Sequence, residues 1–133
     1  MVTSKLDLTL FSTVVHASPK LVGKWKNELK STMTIKTLSG DGTFNGVYES
    51  AVSASHKKVK GSLIGSVAGD SISFVVNWEP TFASVTAWSG KLMVDKKRVA
   101  HIYTLWLLSH GVDDPKDAWQ SIVAGSDTFR KVA

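Results

Sequence analysis

The clearest structural signal in the chain is the stretch Ser84-Val85-Thr86-Ala87-Trp88-Ser89-Gly90. Successive side chains of a β-strand point to opposite faces, so a strand here places Ser84, Thr86 and Trp88 on one face. A buried hydroxyl that finds no partner costs about 1–3 kcal/mol, so a face that mixes hydroxyls with tryptophan makes a poor dry core. The pattern favours instead the wall of a pocket for a small molecule that is apolar in its body and polar at its ends.

Two other stretches repeat this mixture of aromatic and polar side chains. Trp106 and Leu108 share one face of a second predicted strand, and Tyr48 and Ser50 share one face of a third. Several strands are therefore predicted to direct aromatic walls and polar groups toward one place.

Composition places the chain among globular proteins. Of its 133 residues, 43% are hydrophobic and 20% are charged, a size and balance that suit one domain with one core. The absence of cysteine excludes disulfides, thiolate catalysis and thiolate metal sites. No run approaches the roughly 20 apolar residues that a membrane-spanning helix needs, and no membrane partner is expected.

The net charge of +5 raises the question of a nucleic-acid or anionic partner. The basic residues, however, fall in short runs that resemble turns, Lys57-Lys58-Val59-Lys60 and Lys96-Lys97-Arg98. A nucleic-acid binder would interleave basic residues with exposed aromatics, whereas the aromatics here are predicted on inward faces. We therefore expect solvated loops and no nucleic-acid partner, with a basic patch as the alternative.

The first 20 residues differ from the rest of the chain. Residues 1–5 carry a positive charge, residues 6–15 are mostly apolar, and small residues follow up to Ala17 and Ser18. This order resembles a secretory signal peptide cleaved after Ala17, which predicts a secreted protein. The alternative is an ordinary N-terminal extension, compatible with an intracellular protein. Either interpretation divides the chain into an extension at 1–20 and a domain at 21–133.

Strand patterns dominate the remaining sequence, and short turn sequences such as Ser39-Gly40-Asp41-Gly42 and Ala68-Gly69-Asp70 separate them. Short connections imply antiparallel neighbours, and eight strands without a long helix predict an all-β, up-and-down barrel that can hold one small ligand. Residues 53–59 are predicted to form a lid, and residues 109–118 a loop with one helical turn near Pro115. The predicted strands are 22–27, 32–38, 43–50, 60–67, 71–78, 84–94, 98–108 and 121–130.

Longer motifs carry a family resemblance that covers about residues 21–131. They are, in chain order, Gly23-Lys24-Trp25-Lys26-Asn27, Phe44-Asn45-Gly46-Val47-Tyr48-Glu49-Ser50, Val76-Asn77-Trp78, Trp88-Ser89-Gly90, Thr104-Leu105-Trp106-Leu107-Leu108, Trp119 and Gly125-Ser126-Asp127-Thr128-Phe129. Together they resemble the avidin and streptavidin family. The resemblance implies an eight-stranded barrel that binds biotin without catalysis, usually as a homotetramer, with biotin as ligand and no cofactor.

The resemblance also implies how biotin would be held. The ureido oxygen would accept hydrogen bonds from Asn27, Ser31 and Tyr48, and convergent donors in a dry site make strong hydrogen bonds. The two ureido N–H groups would donate to Asp127 and Ser50. Both sets match the family positions residue by residue.

Further matched positions concern the rest of the ligand. Thr86 would contact the thioether sulfur. The valerate carboxylate would meet Ser84 and the lid residues Ser53, Ala54 and Ser55.

The resemblance assigns the remaining matched residues to the apolar walls. Trp78, Trp88 and Trp106 would enclose the ligand, with Leu108 beside them, and each tryptophan can bury a large rigid area. Trp119 matches the tryptophan that a neighbouring subunit contributes to the site, which favours a tetramer.

Each of these residues also has an ordinary structural interpretation. Tryptophans are more often core than ligand wall, and Trp25 is predicted as core that closes one end of the barrel. Asn27 and Ser31 could be turn residues, Asp127 could pair with a lysine at the rim, and Tyr48 could be a core residue with a satisfied hydroxyl. A register slip of one residue would turn every predicted inward face outward.

Two alternative functions follow from a barrel fold. A lipocalin-like carrier of another apolar ligand would need an aliphatic lining, and the polar set around Asn27 and Asp127 argues against it. An enzyme would need a nucleophile with a base in reach, and no such motif is recognisable. The four histidines show no metal-binding spacing. We therefore expect a binding protein with no catalytic residue and no metal.

Overall fold

Eight antiparallel strands close into a barrel in the computed structural model, which describes residues 12–13, 21–51, 58–78, 83–116 and 121–132. Each barrel strand pairs with the next along the chain, and the final strand pairs with the first to complete the ring. An additional two-residue strand, β1, pairs with the end of β7. The strands are β1 Ser12–Thr13, β2 Gly23–Asn27, β3 Thr32–Leu38, β4 Thr43–Glu49, β5 Lys60–Ala68, β6 Ser71–Trp78, β7 Ser84–Val94, β8 Ala100–His110 and β9 Ile122–Lys131.

The predicted all-β barrel is confirmed, and the eight predicted strands match β2 to β9 to within two residues at each end. The short strand β1 was not predicted, because residues 12–13 lie in the segment interpreted as an extension or signal peptide. The division into residues 1–20 and 21–133 stays a prediction. Among the residues described, no helix is long and apolar enough to cross a membrane.

The interior follows from the two-residue period of each strand. In β7, Thr86, Trp88 and Leu92 are buried while the alternating Val85, Ala87 and Ser89 are exposed. The same alternation in the other strands fills the barrel with apolar side chains, so the predicted register is right. The fully buried large side chains are Trp25, Phe74, Phe129, Leu21, Met33, Ile35, Leu63, Ile72, Leu92 and Ile102.

The two ends of the barrel differ in their connections. Tight turns join β3 to β4, β5 to β6 and β7 to β8 at the end where Trp25 lies. At this end Gly42, with a φ of 93°, adopts the left-handed conformation predicted for its turn. The β2–β3 turn lies at the opposite end, where β4, β6 and β8 also end. That end is the mouth of the barrel.

The β2–β3 turn at the mouth contains a strained residue. Lys30 has a φ of 68°, a backbone conformation that favours glycine. The side chain of Asn27 compensates, because its Oδ1 accepts hydrogen bonds from the backbone N–H groups of Leu29 and Ser31 at 3.0 and 2.9 Å. The turn is therefore held by a side chain that the sequence also assigned to the site.

The predicted lid after β4 and the predicted loop after β8 are described in part. Pro115 and Lys116 adopt a 3₁₀ conformation, in line with the predicted helical turn, and residues 117–120 lie outside the described part. Residues 53–57 of the lid predicted at 53–59 also lie outside it. At its end Lys58 forms an ion pair with Glu49 at 3.2 Å.

Candidate ligand-binding site

Asn27 and Tyr48 meet at the mouth of the barrel although 21 positions separate them. Asn27 Nδ2 donates a hydrogen bond to the Tyr48 hydroxyl at 3.3 Å, and both residues are buried. The side-chain oxygen of Asn27 already accepts hydrogen bonds from the backbone of the turn. The side-chain N–H₂ group is therefore the part of Asn27 that faces inward. Asn27 is therefore both a turn residue and a donor at the pocket.

Ser31 and Ser50 lie beside this pair, and Ser50 is close in the chain to the start of the predicted lid. Ser31 Oγ accepts a hydrogen bond from the backbone N–H of Ala51 at 3.1 Å. The backbone N–H of Ser50 donates to the carbonyl of Val59 at 2.8 Å, which holds the two flanks of the lid together. Both predicted serines are thus placed at the mouth, next to Asn27 and Tyr48.

Aromatic rings surround Tyr48. Its ring stacks on Trp88 with centroids 4.9 Å apart and meets the edge of Trp78 at 5.5 Å. Phe74 also stacks on Trp88, with centroids 5.0 Å apart, and Phe129 contacts Tyr48 edge-on at 6.1 Å. Packed rings of this kind limit one another's rotation, so the wall is rigid before any ligand binds.

Trp78 is further oriented by Thr86. The indole Nε1–H of Trp78 donates to Thr86 Oγ1 at 2.9 Å, and Thr86 is 2% exposed. The buried hydroxyl that made the opening stretch unusual therefore has a partner. Its oxygen still has a lone pair and its hydrogen is free to donate into the interior.

Asp127 lies on β9, the strand next to β2 and Asn27. Its Oδ2 accepts a hydrogen bond from the Trp88 Nε1–H at 2.9 Å, and its backbone carbonyl accepts one from the Thr104 hydroxyl at 3.1 Å. Burial raises the pKa of the Asp127 carboxyl to about 7, and the nearby carboxylate of Glu28 adds to this shift. The donors Trp88 and Asn27 oppose the shift because they stabilise the ionised form.

The same environment keeps Tyr48 protonated. Burial, followed by the charge of Asp127, raises the pKa of the Tyr48 hydroxyl well above its ordinary value. At neutral pH this hydroxyl is therefore a hydrogen-bond donor and not a base.

Three other predicted residues complete the walls or the rim. Trp106 pairs directly with Trp88 across β7 and β8, and Leu108 pairs with Thr86 in the same way. Trp106 and Leu108 are half-buried. Ser84 lies at the rim, where its hydroxyl donates to the carbonyl of Ser109 at 3.2 Å.

The structure thus places eleven of the fifteen predicted positions on the inward faces of the strands or in the segments next to them at the mouth of the barrel. Four predicted positions lie outside the described residues. They are Ser53, Ala54 and Ser55 of the lid and Trp119 of the loop before β9. Their assigned roles stay predictions, as do the ligand contacts of the other eleven.

Sequence reasoning missed Glu28 as a contributor to the site. Glu28 follows Asn27 in the turn, and its Oε2 accepts a hydrogen bond from the backbone N–H of Thr128 at 3.1 Å, beside Asp127. No local signal marks this contact, since 100 positions separate the two residues. Phe74 was also missed as a wall residue, although its alternation with Val76 and Trp78 does predict the shared face.

The site combines hydrogen-bond donors with one carboxyl acceptor. Donors from Asn27, Ser31 and Tyr48 lie beside the acceptor, the Asp127 carboxyl, because β2 and β9 are neighbouring strands, and the rings of Tyr48 and Trp88 stack next to them. Within the described part of the chain, every buried side-chain nitrogen or oxygen has a hydrogen-bond partner, and no three His, Asp or Glu side chains are placed to hold a metal ion. This arrangement suits a small, flat, mostly apolar molecule that carries a carbonyl and N–H groups side by side.

Comparison with known proteins agrees with this geometry. The sequence model of the Avidin family matches residues 16–132. The chain belongs to the avidin family. Avidin from Gallus gallus is 31% identical over 144 residues, which cover 98% of this chain and 94% of that protein. Avidin-related protein 1 from Gallus gallus is also 31% identical, and the match covers 97% of this chain and 93% of that one.

Solved structures of the family share the fold. The biotin binding protein from chicken superposes with a TM-score of 0.79 at 32% identity, covering 89% of this chain and 100% of that one. Xenavidin superposes with a TM-score of 0.76 at 28% identity, covering 86% of this chain and 98% of that one. The family resemblance predicted from the motifs is therefore confirmed.

Proposed function

We propose that the chain binds biotin inside the barrel and does not transform it. One observation carries the proposal: Asn27, Tyr48, Trp88 and Asp127 form a continuous hydrogen-bonded and stacked network at the mouth of a closed barrel. The name of the similar chicken protein, biotin binding protein, supports the choice of ligand.

The network fits the two sides of the ureido group. The carbonyl oxygen would accept from Asn27 Nδ2 and the hydroxyls of Ser31 and Tyr48, and the N–H groups would donate to Asp127 and Ser50. Because the donors are already held by the turn and the stacked rings, little conformational freedom is lost on binding. The bicyclic body would lie among Trp78, Trp88 and Trp106, and the carboxylate would leave through the mouth.

The same contacts argue for binding without catalysis. Tyr48 is held protonated, and the ring Nδ1 atoms of His101 and His110 lie 3.1 Å from the backbone carbonyls of Val99 and Gly111. His101 lies on the outward face of β8, next to the buried Ile102, and His110 is exposed at the end of that strand. The interior is built to hold a ligand and to exclude water.

Titration of tryptophan fluorescence with biotin tests the proposal. We expect a spectral change because biotin would contact three tryptophans, and a rise in the melting temperature because a ligand that binds only the native state stabilises it. No spectral change and no rise at micromolar biotin would reject biotin as the ligand. A rise with a fatty acid but not with biotin would favour the lipocalin-like alternative.

We also propose that the barrels assemble into a homotetramer through their outer wall. Across β5 to β9, five outward-facing apolar side chains pair in register to form one continuous row. We call it the outer apolar row, and it consists of Ile64, Val75, Ala87, Leu107 and Ala124. Ile64 is 68% exposed and Leu107 55% exposed. Contiguous apolar surface of this kind marks protein–protein contacts, and Trp119 would then reach a neighbour's site.

Replacing Leu107 with lysine should break this assembly, because a buried unpaired ammonium is strongly unfavourable in an interface. We expect a mass of one or two chains by light scattering where the unmodified protein has four. Leu29→Lys is the matched control, since Leu29 is 69% exposed but lies in the β2–β3 turn. An unchanged mass for Leu107→Lys would remove the outer apolar row from the interface.

We also propose that the domain at residues 21–133 is secreted. This proposal is supported by the pattern of residues 1–20 alone.

A further inference from the structure

The glycine at position 125 lies beneath a pocket tryptophan. Gly125 of β9 pairs directly with Trp106 of β8. A Cβ atom at Gly125 would lie 2.3 Å from Cζ2 and 2.6 Å from Cε2 of the Trp106 indole. These distances are far shorter than van der Waals contact, so the ring occupies the space that any other side chain would need.

The backbone at Gly125 does not itself require glycine. The described glycines with positive φ are Gly23, Gly42 and Gly69, so Gly125 has a conformation that other residues adopt readily. The three heavy atoms nearest to the position of such a Cβ all belong to the indole of Trp106. Glycine is therefore required at position 125 because the Trp106 ring of the pocket wall leaves no space for a side chain, and not because of the backbone conformation.

Gly125 ends a row of side chains that circles most of the barrel interior. Pairing across β4 to β9 places four aromatic rings and two glycines at one level. At the other end of the row, a Cβ on the second glycine would lie 2.3 Å from Cζ of Phe44. The row is Phe44, Gly65, Phe74, Trp88, Trp106 and Gly125. Four rings fit at this level because two of the six positions carry no side chain.

We propose that Gly125 is a positioning residue that sets the width of the ligand pocket. It lets the Trp106 ring lie back against β9, so that the ring forms a wall instead of filling the chamber. A methyl group at position 125 would push the ring away from β9 and toward Trp88 or the ligand. This inference rests on the proposed function for its ligand, biotin, but the placement of Trp106 can be tested without it.

The binding test uses Gly125→Ala in two backgrounds. With Trp106 present, we expect the biotin dissociation rate to rise about tenfold or more, as overpacking at a rigid wall predicts. In the Trp106→Ala background the same methyl group meets no ring, so Gly125→Ala should change the rate by less than about twofold. Equal effects in both backgrounds would overturn the proposal, because Gly125 would then act independently of Trp106.

Gly40→Ala is the matched control, since a Cβ at Gly40 meets nothing within 4 Å. It should leave the dissociation rate unchanged, and a tenfold rise there would show that glycine substitutions act generally on the barrel. If Gly125→Ala fails to fold, the double variant with Trp106→Ala should recover folding. Failure of the double variant to fold would also overturn the proposal.

A second readout separates this proposal from the proposed function. Acrylamide quenching of tryptophan fluorescence in the ligand-free protein should differ between Gly125→Ala and the unmodified protein, because the indole of Trp106 is displaced from its place against β9. The difference should be absent in the Trp106→Ala background. If biotin does not bind the unmodified protein, the proposed ligand is wrong, while this quenching difference still decides the positioning role; no difference would reject it.

Discussion

Asp127→Ala should raise the biotin dissociation rate roughly 30- to 150-fold, which corresponds to about 2–3 kcal/mol for hydrogen bonds to a charged group. The substitution removes the proposed acceptor for a ureido N–H. It also leaves the Trp88 Nε1–H without the oxygen that accepts its hydrogen bond at 2.9 Å. Dissociation measured by surface plasmon resonance or by competition with labelled biotin gives the rate.

Asp127→Asn is the matched control for this substitution. The amide keeps an oxygen that can accept from Trp88 or from the ligand, so most of the affinity should remain. If Asp127→Ala dissociates at the unmodified rate, Asp127 does not contact the ligand. If Asp127→Asn is as weak as Asp127→Ala, the charge and not the acceptor geometry holds the ligand.

A comparison of Asp127→Asn with the unmodified protein also tests the electrostatics of the ligand-free site. Burial raises the pKa of Asp127 to about 7, whereas an unfolded aspartate titrates near 4. Between these values the folded chain holds a proton that the unfolded chain has lost. The contribution of Asp127 to the free energy of unfolding is therefore present below about pH 4 and is lost as the pH rises to about 7. The melting temperature of Asp127→Asn, relative to the unmodified protein, should be higher at pH 8 than at pH 5.

Trp25→Ala should cost about 3–5 kcal/mol of the free energy of unfolding. Trp25 is 0% exposed at the closed end of the barrel, and its Nε1–H donates to the carbonyl of Leu21 at 2.9 Å. The Lys131 ammonium lies 5.1 Å from its ring centroid and would lose this contact. Since whole domains are stable by only about 5–15 kcal/mol, we expect a large fall in the urea midpoint.

Two further variants define what Trp25 does. Trp25→Phe keeps an aromatic ring and removes the hydrogen bond to Leu21, so its cost should be smaller than that of Trp25→Ala. Leu29→Ala removes a side chain that is 69% exposed and should change stability by less than about 0.5 kcal/mol. A cost for Trp25→Ala no larger than that of Leu29→Ala would contradict its role in closing the barrel.

Most of the site could be predicted from the sequence because its signals are local. The alternation of side chains along β7 places Thr86 and Trp88 on the inner face, regardless of which strands are its neighbours. The turn sequences set the strand ends. The longer motifs indicate the family, and the family resemblance predicts that Asn27, Tyr48 and Asp127 belong to one site. Trp25 was correctly separated from the ligand walls as a core residue.

The relations between distant strands were decided only by the folded barrel. The Glu28 carboxylate beside Asp127, the outer apolar row and the fit of Trp106 over Gly125 all depend on pairing register between segments that are remote in the chain or meet through closure. A period of two tells which face a side chain occupies, but not which residue of another strand lies opposite it. That choice is made when all eight strands close together, because each register must then satisfy the packing of the whole interior.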